Sequence, residues 1–287
     1  MAGRLIDGKE ISAQIKAELA QEVAKMQKES DVTPGLAVVL VGEDPASKVY
    51  VGQKEKACAE LGIFSQKHTL PADVSEEELL GLVGSLNSDP QIDGILVQLP
   101  LPKHIDENKV IEAIMPEKDV DGFHPVSVGK MVIGLPGFRP CTPAGVMELL
   151  RRTGVDLVGK EAVVIGRSNI VGKPVAIMLL QQSATVTVCH SKTKNLSGVT
   201  RRADVLVVAT GKPNTVTADM VKDGVVVIDV GVNRLDSGKL VGDVDFDGVR
   251  EKASAITPVP GGVGPMTIAM LMYNTVQAAK KRAGILI

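Results

Sequence analysis

The stretch Val163-Val-Ile-Gly-Arg-Ser-Asn-Ile-Val-Gly-Lys-Pro174 decides the fold. Three β-branched apolar residues run into Gly166. Six residues later Gly172-Lys-Pro174 opens a segment of helical composition. A buried strand, a glycine turn and a helix start form the dinucleotide-binding unit, in which helix N-terminal N–H groups hold a pyrophosphate. The pattern departs from G-x-G-x-x-G, because Ser168 takes the middle place between Gly166 and Gly172. A tight strand–helix turn that needs glycine for backbone reasons alone is the bland alternative. The sequence that follows supports the nucleotide unit. The apolar runs 161–166, 185–190, 204–211 and 225–232 follow one another, the first three separated by helical patterns. Alternating strands and helices with solid apolar strands predict a parallel sheet covered on both faces.

The second strand of this unit bears on the cofactor. NAD-binding folds usually carry an acidic residue at its end to bond the ribose 2′-hydroxyl. Here the end reads Cys189-His-Ser-Lys-Thr-Lys194, and no acidic residue occurs from Ala162 to Ala203. A carboxylate would repel a 2′-phosphate, whereas Ser191, Lys192, Lys194 and Arg167 offer hydroxyl and cationic groups. NADP is therefore favoured over NAD, with solvated surface charge the plain alternative for Lys192 and Lys194.

Working outward, the rest of the 287-residue chain suits a second α/β domain. Ile11, Ile15, Leu19, Val23 and Met26 recur at helical spacing, which predicts a helix over about 8–28. The run 35–42 reads as a strand buried on both faces, 45–62 as a helix stopped by Gly62, and 93–102 as a further strand ended by its prolines. Ser75 and Glu78 form a capping box. A short helix is expected from Glu107 to Ile114 and a loop over 115–125. The Gly- and Pro-rich segment 134–145 marks the domain junction, followed by Thr142 as a helix cap with Pro143 at the first helical position. The expected division is a catalytic domain over 1–138, completed by 265–287 as the last helix crosses back, and a Rossmann-type domain over 139–264.

Composition excludes several function classes. Charged residues make up 23% and the net charge is −2, so no strong field draws nucleic acid. Aromatics at 2% leave few platforms for base stacking. No apolar run approaches a membrane span, and the N-terminus lacks a signal or transit pattern. Cys58, Cys141 and Cys189 are scattered, as are the four histidines. They form neither a disulfide framework nor a metal motif, which leads us to expect a reducing cytoplasm and no metal.

Tyr50 and Lys54, in Val49-Tyr-Val-Gly-Gln-Lys54, lie four residues apart and share a helix face. Short-chain dehydrogenases use a Tyr–Lys pair at this spacing, but after their glycine loop. Here the pair precedes the loop by more than a hundred residues. An amphipathic helix with Lys54 in solvent remains open on spacing alone. Gln98 is unusual in a buried strand because its amide needs partners. A strand end facing a cleft, or bonds to neighbouring backbone, would each supply them.

Taken in order, YVGQK (50–54), VQLPLP (97–102), KDVDGF (118–123), PCTPAG (140–145), GRSNIVGKP (166–174) and PVPGGVGPMT (258–267) resemble the bifunctional methylenetetrahydrofolate dehydrogenase / methenyltetrahydrofolate cyclohydrolase family over nearly the whole chain. The resemblance implies oxidation of 5,10-methylenetetrahydrofolate with NADP, then hydrolysis to 10-formyltetrahydrofolate in a shared cleft. It implies that Lys54 is the catalytic lysine, that Gln98 sets its protonation, that Tyr50 stacks on the aminobenzoyl region and that Asp121 anchors the pterin. It assigns Gly166, Arg167, Ser168, Ser191 and Val232 to the cofactor, with Gly261 and Gly262 allowing close backbone approach to the ligands. A homodimer is implied as well. Two rival readings are an amino-acid dehydrogenase of similar layout and a non-enzymatic NADP-binding sensor.

Overall fold

The computed structural model describes residues 2–285, which divide into two compact units. In chain order the strands are β1 (Arg4–Leu5), β2 (Gly35–Val41), β3 (Phe64–Leu70), β4 (Gly94–Val97), β5 (Glu161–Ile165) and β6 (Thr185–Cys189). They continue with β7 (Val205–Val208), β8 (Val226–Asp229), β9 (Asn233–Arg234), β10 (Leu240–Val241) and β11 (Ala255–Ile256). The helices are α1 (Gly8–Ser30), α2 (Pro45–Leu61), α3 (Glu76–Ser88), α4 (Glu107–Ala113) and α5 (Pro125–Val132). After them come α6 (Cys141–Arg152), α7 (Gly172–Gln181), α8 (Leu196–Thr200), α9 (Phe246–Arg250) and α10 (Val263–Arg282).

One unit comprises Gln14–Cys141 and Ile268–Ile287. Its parallel sheet has the order β3-β2-β4. Every residue of β2 is buried, as its unbroken apolar run requires of a central strand. Of the two outer strands, β3 is the more exposed and its sequence FSQKHTL is mixed, whereas β4 is buried throughout. Local chemistry sets the helices around this sheet. Asp44 accepts from Ser47 N at 2.7 Å with Pro45 at the first position of α2, and Gly62 ends that helix at φ +71°. The Ser75–Glu78 capping box is present at α3.

The last helix is tied into this unit, as expected. Arg282 Nε donates to Asp93 Oδ1 at 2.5 Å, and the other oxygen of Asp93 accepts from Gly35 N at 2.9 Å. Lys280 pairs with Glu22, and Met272 touches Cys58.

The other unit comprises Met1–Ala13 and Thr142–Thr267. Its sheet has the order β1-β11-β8-β7-β5-β6, with every neighbour parallel. From β5 the chain moves outward to β6 and then returns to the other side at β7. That reversal is the topological switch point where open α/β sheets bind ligands. The N-terminal residues group here because β1 pairs with β11 and Lys9 N donates to Gly261 O at 3.1 Å. A two-residue strand carries no periodic signal, so the sequence division at 138 left these residues with the first domain.

The strands are shorter than the apolar runs that announced them. The run 204–211 yields β7 over Val205–Val208 only, because Thr210 and Gly211 turn their N–H groups to a carboxylate of Asp243. Likewise 93–102 yields β4 over Gly94–Val97, and the chain then enters a cis Leu99–Pro100 bond.

Candidate active site

In the three-stranded unit, α2 turns Val51, Lys54, Ala57, Cys58 and Leu61 to the interior. Lys54 thus holds a core register position and is only 6% exposed. The solvated-lysine alternative is thereby excluded. Its Nζ donates to Gln98 Oε1 at 2.7 Å. Gln98 lies one residue beyond β4, where its N–H donates to Val39 O at 2.8 Å and its Nε2 to Leu99 O at 2.7 Å. Both amide ends are satisfied, so the carbonyl oxygen is fixed toward Lys54. Tyr50, one turn before Lys54, is 38% exposed.

The KDVDGF segment supplies two aspartates with different work. Asp119 is buried, and its carboxylate accepts from the N–H groups of Gly122, Phe123 and His124 at 3.2, 3.2 and 2.9 Å. It shapes the turn. Asp121 is half-buried and lies within the electrostatic reach of Lys54. Gly122 is required between them and the next segment. Its φ is +78°, and a Cβ there would lie 2.6 Å from Arg139 C and Pro140 N.

Burial dominates the electrostatics of this cluster. It pushes the Asp121 carboxyl up to about 6, against the pull of the Lys54 charge, with Asp119 adding to the rise. It also lowers the Lys54 ammonium from its ordinary value, against the charges of Asp121 and Cys141. Acid and amine both move toward neutrality. The Cys141 thiol is buried beside Asp121, donates to Val120 O at 3.3 Å and is held well above the ordinary thiol range by burial. Asn274 of α10 donates to Val120 O at 2.8 Å and Arg139 O at 3.1 Å, stitching the two segments together. Sequence reasoning missed both residues. Cys141 stands inside the quoted PCTPAG motif, and Asn274 is a lone amide in an apolar helix stretch.

In the six-stranded unit, Gly166 follows β5 with φ +129°, and a Cβ there would lie 2.3 Å from Ala209 O. A Cβ on Gly172 would lie 2.2 Å from Gly166 O. Only glycine allows this strand and helix to meet so closely. Ser168 Oγ accepts from Val171 N at 3.2 Å and Gly172 N at 3.3 Å, so the middle position of the motif caps α7. Arg167 is exposed. β5 and β6 pair through Ile165 and Cys189, and Gly166 N donates to Cys189 O at 2.9 Å. The turn after β6, closed by His190 N to Thr193 Oγ1 at 2.8 Å, therefore presents exposed Ser191 beside the Gly166 loop. A dinucleotide with a 2′-phosphate fits this rim: glycine leaves room for backbone approach, and the two groups at its edge are a guanidinium and a hydroxyl.

Val232 is exposed after β8. Gly261 has φ +106°, and a Cβ on Gly262 would lie 2.6 Å from Pro258 O. A Cβ on Gly8 would in turn meet Gly262 O. These two glycines thus already have a packing requirement within their own chain. Among the described residues, no three His, Cys, Asp or Glu side chains converge as a metal site. No described helix is long and apolar enough to cross a membrane.

The comparisons match both parts of the chain. Residues 6–121 match the catalytic domain of tetrahydrofolate dehydrogenase/cyclohydrolase, and 140–283 match its NAD(P)-binding domain. The bifunctional protein FolD of Geotalea uraniireducens (strain Rf4) is 64% identical over 279 residues, which cover 97% of this chain and 99% of that one. The crystal structure of the bifunctional FolD enzyme from Campylobacter jejuni is 56% identical, with TM-score 0.96 over 98% of this chain and 100% of that one. The Trypanosoma brucei methylenetetrahydrofolate dehydrogenase-cyclohydrolase, solved with NADP cofactor and inhibitor, is 42% identical, with TM-score 0.95 over 98% and 99%. Neither the amino-acid dehydrogenase nor the sensor reading gains support from these matches. The chain is an enzyme that belongs to the tetrahydrofolate dehydrogenase/cyclohydrolase family.

Proposed function

We propose that the chain oxidises 5,10-methylenetetrahydrofolate to the methenyl cation with NADP and then hydrolyses that cation to 10-formyltetrahydrofolate, with Lys54 at the centre of the hydrolytic step. The carrying observation is a buried Lys54 whose Nζ is fixed 2.7 Å from Gln98 Oε1 and whose ammonium is lowered by burial.

When bound, NADP supplies the hydride acceptor. Gly166, Arg167, Ser168 and Ser191 would hold its phosphates and ribose, and Val232 would flank the nicotinamide. Tyr50 offers an exposed ring to the aminobenzoyl group, and Asp121 takes the pterin N–H groups. Gly261 and Gly262 give backbone access to the ligands. A fixed positive charge would oppose a cationic product, so a lysine pulled toward neutrality suits both steps. Neutral Lys54 accepts a proton from water as the oxygen bonds to the methenyl carbon. The new hydroxyl then gives up its proton as the formyl C=O forms, a C–N bond of the ring breaks and the nitrogen takes up a proton, so the net release is the one proton that Lys54 accepted. Gln98 keeps the amine aimed by accepting one of its hydrogens.

The unit Gln14–Cys141 with Ile268–Ile287 is the folate side and the unit Met1–Ala13 with Thr142–Thr267 the NADP side. The protein works as a homodimer in the cytoplasm; three free cysteines suit a reducing compartment. Light scattering and cell fractionation test these two points.

The first experiment follows folate oxidation with NADP and with NAD, recording reduced nicotinamide and methenyl product together. Reduced cofactor with little methenyl accumulation, and faster with NADP, is expected. Matching accumulation of methenyl would remove the hydrolytic activity, and no oxidation with either cofactor would overturn the reading.

A further inference from the structure

The rim of the six-stranded sheet rests on two buried carboxylates that the reaction chemistry does not use. Asp229 ends β8, and Asp243 lies two residues beyond β10. They are 3% and 0% exposed. Asp229 Oδ1 accepts from Gly231 N and Asp243 N, both at 3.0 Å, and Oδ2 from Val244 N at 2.9 Å. Asp243 Oδ2 accepts from Thr210 N at 2.5 Å, Gly211 N at 2.9 Å and Thr210 Oγ1 at 3.0 Å. Its Oδ1 accepts from Asn233 Nδ2 at 2.8 Å. Glycines make the room: a Cβ on Gly231 would lie 2.1 Å from Asp243 Oδ1, and one on Gly242 would lie 1.9 Å from Asp229 Oδ2.

Among the described residues, no ion pair joins either carboxylate to a lysine or arginine. Two neighbouring acids buried without a cation are costly, and an apolar filling would serve bare stability better. What the pair does hold is a set of loops. It binds Thr210 and Gly211, which follow Ala209, the residue whose carbonyl abuts Gly166. It also binds Gly231 and Asn233, on either side of exposed Val232.

We infer that Asp243, seated on Asp229, is a positioning residue for the nicotinamide dinucleotide: it fixes the loops 209–211 and 230–233 against the Gly166 turn, so that the cofactor meets a preformed rim. This rests on the reading of Val232 as a cofactor neighbour and deepens it. A preformed rim raises affinity because binding then orders fewer residues.

All hydrogen-bond partners of the Asp243 carboxylate are donors. An amide in its place turns its NH2 against a donor in either orientation. Asp243→Asn is expected to weaken NADP binding, measured by calorimetry without folate, by about tenfold or more. Hydrolysis of methenyltetrahydrofolate supplied without NADP should stay within about twofold of wild type, because the lysine cluster lies in the other unit. Thr210→Val removes one side-chain donor and leaves the backbone bonds, so a weakening of about two- to threefold is expected. Wild-type NADP affinity in Asp243→Asn would overturn the inference. If Asp243→Asn loses its fold, wild-type affinity in Thr210→Val would overturn it instead. A wild-type chain that binds NADP yet oxidises no folate would break the proposed function and leave the anchor to be judged by binding, so the two failures read differently.

Discussion

The lysine cluster and the aspartate anchor both contain an acid pushed up to about 6 by burial, Asp121 in one and Asp229 in the other. Their surroundings differ in kind. Asp121 feels the charge of Lys54, whose ammonium is itself lowered by burial. Asp229 accepts from backbone N–H groups and lies beside the like charge of Asp243, so protonation there breaks a hydrogen bond and relieves a repulsion. A second titratable group stands at both sites, Lys54 near Asp121 and Asp243 beside Asp229, so what sets the first apart is an amine of opposite charge, where the second has a like charge and N–H donors. The first region brings an acid near an amine; the second holds a shape.

The largest test of that contrast is Lys54→Met. Hydrolysis should fall by about a hundred- to ten-thousand-fold in a single-turnover assay, with hydride transfer reduced less. Full hydrolytic activity in this variant would return Lys54 to a structural part. The same assay across pH should show hydrolysis rising as Lys54 loses its proton, with the midpoint below the ordinary lysine value.

Gly122→Ala tests the turn that carries Asp121. Positive φ and the collision with Arg139 and Pro140 should cost about 2–4 kcal/mol in denaturant unfolding. A variant as stable as wild type would mean that the two segments separate easily.

Asp121→Ala should raise the folate Kd by about tenfold while the fold survives, because a charge-assisted bond is lost from a half-buried position. Unchanged folate affinity would remove Asp121 from the pterin site.

A further test concerns stability against pH. The folded-state carboxyl of Asp121 is raised from 3.8 to about 6, so its contribution to stability is fully present below the unfolded value and is lost as pH rises through about 6. Asp121→Asn, neutral throughout, should lose less stability than wild type between pH 4 and pH 7, by an amount of about 1–3 kcal/mol. Identical pH profiles of melting would show that the carboxyl is relieved by solvent.

Much of this molecule was legible in its sequence. The β-branched runs at 35–41, 161–165 and 226–229 became central strands because an unbroken apolar run has nowhere to sit but between two covered faces. Gly62, Ser75 and Glu78 punctuated helices through bonds that involve only near neighbours. The missing acid after β6 spoke for a 2′-phosphate because charge type is a property of composition and needs no coordinates. The pairing of Tyr50 with Lys54 was visible as spacing, but spacing is silent on whether a helix face meets solvent or core.

That choice belonged to the tertiary structure. The packing of α2 took Lys54 out of water, and the end of β4 set Gln98 against it. Asp119 and Asp121 are alike in sequence and two residues apart, yet one closes a turn and the other lies within the electrostatic reach of an amine. Asn274 and the Asp229–Asp243 anchor act through partners up to 154 residues away. Periodicity and capping report forces between near neighbours, so sequence by itself determined the elements and the cofactor's charge. Burial and long-range hydrogen bonds exist only once the chain has closed, so the tertiary structure alone decided which acids and amines come near one another.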